Sequence, residues 1–203
     1  QGRPNLILTD LRAAPDADRQ LARRMVSAGR LIDELFSRQM GGRRWREASS
    51  QADPESRTLF ERNHSPWCEA PTTEHDPFCN AVPSFPPRRS GSYPESLTHD
   101  SAMCESLRSR PEGKDLLDPF TVVVEKGGRP RSEDGGPLAA VPLTAVYGET
   151  MKLVALELRS AAAAQGRGEE ALSAYLLAAA GGFETGDWSA ADEAWSRMSG
   201  RNS

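Results

Sequence analysis

The segment from Asn63 to Thr98 places the strongest constraint on the fold, because seven prolines are spread along it. Proline has no backbone N–H and a fixed φ angle, so neither a long helix nor a central strand can run through this segment. The same segment carries four aromatic residues, which disordered segments usually lack. These residues are Trp67, Phe78, Phe85 and Tyr93. We therefore predict an ordered, proline-rich coil that packs on the rest of the protein.

All three histidines and all three cysteines of the chain lie in or just after this coil. They form three pairs along the sequence: His64 with Cys68, His75 with Cys79, and His99 with Cys104. Imidazole and thiolate are preferred zinc ligands, so an independent His/Cys metal-binding module is one interpretation. The H-x3-C and H-x4-C spacings match no standard zinc pattern. Pro66 and Pro77 also interrupt two of the pairs, which argues against ligands on one helix face.

A disulfide between Cys68 and Cys79 is the second interpretation of these residues. It would close a short loop and stabilise the coil by about 2–3 kcal/mol, provided that the protein resides in an oxidising compartment. Cys104 would then be left over, as a candidate for pairing with another chain. The third interpretation is three unpaired, buried thiols in a cytoplasmic protein.

The remaining sequence predicts a mainly α fold with a small β-hairpin, an α+β arrangement of a helical lobe and a long proline-rich coil. Helices are expected from Asp16 or Asp18 to Gly41-Gly42, from Asp53-Pro54 through Phe60, and from Asp100 or Ser101 to Arg108. Strands are expected at 120–125 and 138–142, with turns at Gly127-Gly128 and Gly135-Gly136. Three further helices follow: the first capped by Thr144 and broken at Gly166 and Gly168, the second ending at Gly181-Gly182, and the third starting at Ser189. These elements divide the chain into 1–62, 63–99 and 100–203, together one domain and part of a larger protein.

Composition excludes several classes of function. A net charge of −4 argues against a nucleic-acid-binding surface. Only three of the 25 basic residues are lysines, which we interpret as codon usage of a GC-rich genome and not as a binding surface. No apolar run approaches the ~20 residues that span a membrane. No catalytic motif and no cofactor-binding motif occurs, and the paired glycines lack the strand–loop–helix context of a phosphate site.

Several local phrases resemble the N-terminal part of bacterial zinc peptidases of the dipeptidyl-peptidase III family and of their exported relatives. The phrases are LIDELFSRQ (31–39), NHSPW (63–67), SGSYPESL (90–97), FTVVVEKGG followed by LAAVP, AVYGETM (145–151) and DWSAADEAWSRM (187–198). In that family two histidines of an H-E-x-x-G-H-type helix and a downstream glutamate hold zinc, all in the other lobe. None of these residues is present here, so no catalytic residue transfers to this sequence.

The resemblance implies a lobe that forms one wall of a peptide-binding cleft. Zinc and catalysis would reside in a missing C-terminal lobe or in a separate partner chain, and no cofactor is expected in this chain. The alternative is a non-catalytic, exported binding or scaffold protein stapled by a disulfide. Gln1 in place of a methionine is compatible with loss of an export signal. We therefore expect a periplasmic, extracellular or lipoprotein-derived surface location, with the cytoplasm left open.

Overall fold

The computed structural model describes residues 8–97, 99–126, 137–165 and 169–200. Its helices are α1 (Asp16–Gln39), α2 (Arg46–Ser50), α3 (Pro54–Asn63), α4 (Ser101–Arg108), α5 (Gly113–Leu116), α6 (Leu143–Val146), α7 (Gly148–Ala164), α8 (Glu170–Thr185) and α9 (Ser189–Ser196). A 3₁₀ turn covers Arg43–Trp45, and two strands, β1 (Thr121–Glu125) and β2 (Leu138–Pro142), pair with each other. The predicted mainly α fold with one hairpin is confirmed. The glycines predicted to form turns at 127–128 and 135–136, and to break a helix at 166 and 168, lie outside the described residues.

The first helix ends at the predicted glycine pair. Gly41 has φ +68°, a left-handed conformation that glycine adopts without steric cost. The N–H of Gly41 then bonds to the carbonyl of Arg38, and the N–H of Gly42 bonds to that of Ser37, both at 3.0 Å. This pattern is a Schellman motif, which satisfies the last carbonyls of the helix.

Two shorter helices begin where their capping aspartates predict. Asp53 accepts a hydrogen bond from the backbone N–H of Ser56, at 2.9 Å. Asp100 accepts one from the backbone N–H of Met103, at 2.8 Å. Each carboxylate satisfies a donor that the first helical turn leaves unpaired.

The chain divides into two compact units, which are described separately: Ile32–Gly148, and Gln1–Leu31 with Glu149–Ser203. In the second of these units α8 packs on α9, and Tyr175 and Trp195 contact with ring centroids 5.3 Å apart. Ion pairs between Arg24 and Glu157 and between Arg159 and Glu184 join its helices. Its buried hydrophobic side chains come mainly from α7 and α8, including Met151, Val154, Ala155, Leu158, Leu176 and Ala180.

Two predictions of helix ends in the last third of the chain are wrong. Thr144 lies inside α6, and α7 begins separately at Gly148. The eighth helix runs through Gly181-Gly182 and is capped by Gly186, which has φ +82°. The predicted start of the last helix at Ser189 is confirmed, although the Ser189 side chain does not cap it; instead Asp187 accepts hydrogen bonds from the N–H and hydroxyl of Ser189.

Leu107, Leu116, Val123 and Leu138 form a buried hydrophobic cluster in the core of the Ile32–Gly148 unit. Tyr93, Leu97, Met103, Leu117 and Ala140 pack against them. The core therefore draws on α4, α5, both strands and the end of the proline-rich coil. The coil is thus part of the folded unit, as its aromatic content predicts.

Candidate functional site

The proline-rich coil forms neither helix nor strand in its described residues after His64, apart from one isolated bridge between Trp67 and Asn80. Backbone bonds from Cys68 N–H to the Cys79 carbonyl (3.3 Å) and from Ala81 N–H to the Pro66 carbonyl (2.7 Å) hold its two halves together. The prolines deny a regular ladder, so these isolated contacts replace it. The coil consequently has a fixed course with very little regular structure.

Trp67 anchors the coil. Its side chain is buried, and its indole Nε1 donates a 2.7 Å hydrogen bond to the carbonyl of Pro86. The amide of Asn80 donates to the same carbonyl at 3.3 Å. A buried indole with a satisfied N–H is the arrangement that makes tryptophan favourable inside a fold. By contrast, Phe78 and Phe85 are exposed and contact each other.

Cys68 and Cys79 form a disulfide, the pairing that the sequence analysis favours. Their sulfurs are therefore not thiolates and cannot serve as zinc ligands. Among the described residues, no group of three or more His, Cys, Asp or Glu could hold a metal ion. Cys104 is a free, half-buried thiol on α4.

The three histidines lie in different surroundings. His64 caps the C-terminus of α3 with φ +53°, packs edge-on against Phe36, and has Nε2 3.6 Å from the carboxylate of Asp33. His75 is exposed, beside Glu74. His99 accepts a hydrogen bond at Nδ1 from the N–H of Ser90 and packs edge-on against Tyr93. The spacing of the His/Cys pairs therefore corresponds to no shared centre in the described structure.

The hairpin provides a site of a different kind, at its strand edges. Its register pairs Val123 with Ala140 and Glu125 with Leu138. The N–H of Lys126 bonds to the Pro137 carbonyl, and the N–H of Leu143 bonds to the Phe120 carbonyl. These two bonds identify the hydrogen-bonded positions at both ends of the ladder. Because antiparallel pairs alternate, the peptide groups of Val123, Leu138 and Ala140 point away from the partner strand.

Only one of the two edges is covered in the described structure. The outward N–H of Val123 donates a 2.8 Å hydrogen bond to the carbonyl of Ser92, in the coil. Among the described residues, no backbone hydrogen bond reaches the outward groups of Leu138 and Ala140. Leu138 is only 2% exposed, whereas Ala140 is half-buried, so the accessible part of the β2 edge is at Ala140.

A groove lies beside this edge. Its volume is about 410 Å³. It is lined by Glu112, Asp115, Asp118, Thr121, Lys126, Leu138, Ala139, Ala140 and Pro142, and we call it the hairpin groove. Asp118 also accepts a hydrogen bond from the N–H of Phe120, at 2.8 Å. The groove thus combines unpaired peptide groups with three carboxylates and one ammonium.

The three carboxylates of the hairpin groove are not among the residues that the sequence singles out. Their spacing of three residues, at 112, 115 and 118, is visible in the sequence and would place them on one side of a helical turn. Their proximity to β2 results from the packing of α5 against the hairpin, which the sequence does not show.

None of the helices in the described part of the chain combines the length and apolar character that crossing a membrane requires.

Comparison with known proteins identifies the fold. No protein-family model and no curated protein matches the chain. The structure of dipeptidyl-peptidase III from Corallococcus sp. strain EGB matches 97% of this chain with a TM-score of 0.72 and 25% identity. That of DPP III from Caldithrix abyssi matches 95% with a TM-score of 0.67 and 21% identity. The chain spans only 36% and 35% of those two proteins, so it corresponds in fold to a part of a dipeptidyl-peptidase III structure.

Proposed function

We propose that this chain is the N-terminal lobe of a dipeptidyl-peptidase III-like metallopeptidase and forms one wall of its peptide-binding cleft. The observation that carries the proposal is the match of nearly the whole chain to about a third of a dipeptidyl-peptidase III structure. Zinc and the catalytic groups would reside in a C-terminal lobe or a partner chain.

The free edge of β2 is the part of this chain that we assign to the peptide. An extended peptide binds a strand edge through its own N–H and C=O groups, so affinity is largely independent of side-chain sequence. The outward peptide groups of Ala140, which is half-buried and has no backbone partner on that side in the described structure, meet this requirement. The carboxylates of the hairpin groove would add a preference for positively charged peptides.

The cellular location that we propose is outside the cytoplasm, as in the exported bacterial relatives that the sequence resembles. The disulfide between Cys68 and Cys79 supports this, because such bonds persist in oxidising compartments. In that setting the free thiol of Cys104 would be available to a partner chain.

The test uses the protein as its native source makes it. Its intact mass and zinc content are measured, together with release of dipeptides from the N-terminus of short peptides. We expect a longer chain or a tight complex that contains zinc and releases dipeptides. A native product that ends at Ser203, without a zinc-bearing partner, would contradict the proposal.

A non-catalytic exported binding or scaffold protein is the second candidate function. It is favoured by the buried core of the Ile32–Gly148 unit, which closes around its own strands and coil. Such a protein should be a stable monomer in isolation. A lobe that requires a partner should instead expose apolar surface and aggregate, so analytical ultracentrifugation of the 203-residue chain separates the two candidates.

A further inference from the structure

A second cavity of the Ile32–Gly148 unit is surrounded by positive charge. Its volume is about 500 Å³. Its charged lining residues are Arg38, Arg43, Arg44, Arg89 and Glu95, with His99 beside them, and we call it the basic pocket. Four guanidinium groups therefore share a cavity with one carboxylate, and one of them, Arg43, also pairs with Glu34 at 3.7 Å. Like charges at close range repel, so a group of this kind is stable only where anions or solvent compensate it.

Close contact between two backbone segments brings these arginines together. The N–H of Gly91 donates a 2.7 Å hydrogen bond to the carbonyl of Gln39 at the end of α1. A Cβ atom on Gly91 would lie 2.0 Å from the carbonyl oxygen of Arg38, so no larger residue fits there. Likewise, a Cβ atom on Gly41 would lie 2.8 Å from the carbonyl oxygen of Arg89. The end of α1 is thus held directly against the coil that carries Arg89.

The arginines of the basic pocket are only partly neutralised. Arg44 pairs with the carboxylate of Glu95, while Arg89 donates a 2.8 Å hydrogen bond to the backbone carbonyl of the same residue. The guanidinium of Arg38 lies 4.6 Å above the ring of Tyr147. Within the described structure neither Arg38 nor Arg89 forms an ion pair with a carboxylate. Burial, followed by the charge of Arg89, lowers the pKa of Arg44.

His99 also lines this cavity. Its Nδ1 accepts a hydrogen bond from the N–H of Ser90 at 3.1 Å, so the proton of the neutral ring is assigned to Nε2. That Nε2 atom is buried within the fold, and the backbone carbonyl of Pro94 acts on the ring as a hydrogen-bond acceptor that raises its pKa. His99 therefore forms part of the wall of the basic pocket, while the arginines supply the donors.

We propose that the basic pocket binds an oxyanion, a carboxylate or phosphate group carried by a small organic molecule. The guanidinium groups of Arg38, Arg44 and Arg89 supply both the positive charge and the N–H donors. Planar guanidinium groups match the geometry of both kinds of oxyanion. The volume suits a small ligand, and Val122 and Val146 offer apolar contacts to its carbon skeleton. This inference concerns a site separate from the hairpin groove and does not depend on the peptidase-like role.

Isothermal titration of the 203-residue chain tests the proposal with three probes. The probes are inorganic phosphate, succinate and uncharged succinamide, at ionic strength held constant with sodium chloride. We expect saturable binding of phosphate or succinate and none of succinamide. Binding of phosphate alone would assign the site to phosphate groups, and binding of succinate alone to carboxylates. If neither anion binds, or if succinamide binds equally well, the proposal is wrong.

Two variants with opposite expected effects connect binding to the basic pocket. The substitution Arg38→Gln removes a guanidinium that has no carboxylate partner, and we expect binding at least about tenfold weaker. The substitution Glu95→Gln removes the carboxylate that competes for Arg44, and we expect tighter binding. Arg62→Gln, on the exposed side of α3, removes one positive charge elsewhere and should change nothing. Because a misfolded variant cannot bind more tightly, any result other than these opposite changes overturns the proposal.

Discussion

The indole Nε1 of Trp67 donates a 2.7 Å hydrogen bond to the carbonyl of Pro86, nineteen residues further along a coil with almost no regular structure. The side chain that donates is buried, and the carbonyl belongs to a proline, which cannot itself donate a backbone bond. This contact joins the two ends of the segment that also contains the disulfide.

Trp67→Phe should therefore destabilise the protein by about 1–2 kcal/mol, because it removes a buried hydrogen bond and part of a buried ring. Asn80 still donates to the Pro86 carbonyl, so that oxygen does not become unpaired. The free energy of unfolding is measured by urea denaturation without reducing agent. Phe78→Leu, at a position 77% exposed, is the control and should change stability by less than about 0.5 kcal/mol.

Removal of the disulfide by the double substitution of Cys68 and Cys79 to alanine should cost about 2–3 kcal/mol, because the unfolded chain loses a closed loop. Dithiothreitol should lower the stability of the native protein by a similar amount and leave the double variant unaffected. Cys104→Ala keeps the disulfide and should retain the sensitivity to reductant. Equal stability of native protein and double variant would show that the bond contributes nothing to the fold.

Two adjacent glycines of α8 should respond in opposite directions to alanine. A Cβ atom on Gly182 would lie 2.8 Å from Cε3 of Trp188, so Gly182→Ala should destabilise by about 1–3 kcal/mol. No atom lies within 4 Å of a Cβ atom on Gly181, so Gly181→Ala should stabilise the helix by about 0.5–1 kcal/mol. Thermal unfolding of both variants checks the difference in sign, and two changes of the same sign would contradict this account of the packing.

A comparison of two glycine pairs shows which features of the fold the sequence could predict. Gly41-Gly42 and Gly181-Gly182 look alike in the sequence, and both predict a helix end. The first pair does end its helix, because Gly41 adopts positive φ. The second pair continues the helix, because Gly182 makes room for the ring of Trp188. Caps such as Asp53 were predictable because capping is local, whereas the packing of a distant ring is not.

The candidate sites were harder to predict than the fold, for a similar reason. The disulfide was favoured because its two cysteines are close in sequence and the coil requires a staple. The basic pocket combines residues from the end of α1, the coil and the hairpin, and the close contacts of Gly91 and Gly41 with the opposite backbone bring them together. From the sequence, the arginines were attributed to codon usage, because nearly all of the basic residues are arginines.

Stability should fall as the pH drops below about 6.5, with His99 as one cause. Burial lowers the pKa of His99, a hydrogen bond from the ring to the Pro94 carbonyl raises it in part, and the charges of Arg89 and Arg44 lower it further. The unfolded chain therefore binds a proton at this residue before the folded one does, and folding becomes less favourable as pH falls through that window. Urea denaturation from pH 7.5 to 5 should show a weaker decline for His99→Gln.

An NMR titration of the His99 imidazole tests the electrostatic part of this prediction directly. Arg44→Gln removes one of the charges that lower the pKa of His99, so the titration midpoint should move upward. An unchanged midpoint would mean that Arg44 does not act on this histidine.

Peptide binding at the hairpin groove should depend on one backbone N–H. Ala140→Pro replaces the outward N–H of β2 and leaves the bonds to β1 in place, because Ala140 belongs to a pair that does not exchange hydrogen bonds. We expect binding of short peptides, followed by amide chemical shifts of β2, to weaken at least about tenfold. Ala140→Val keeps the N–H and favours the extended strand conformation, so it should bind at least as well as the native chain. If peptides shift the β2 amides equally in both variants, they bind beside the strand through side chains, and the edge is not the wall of a cleft.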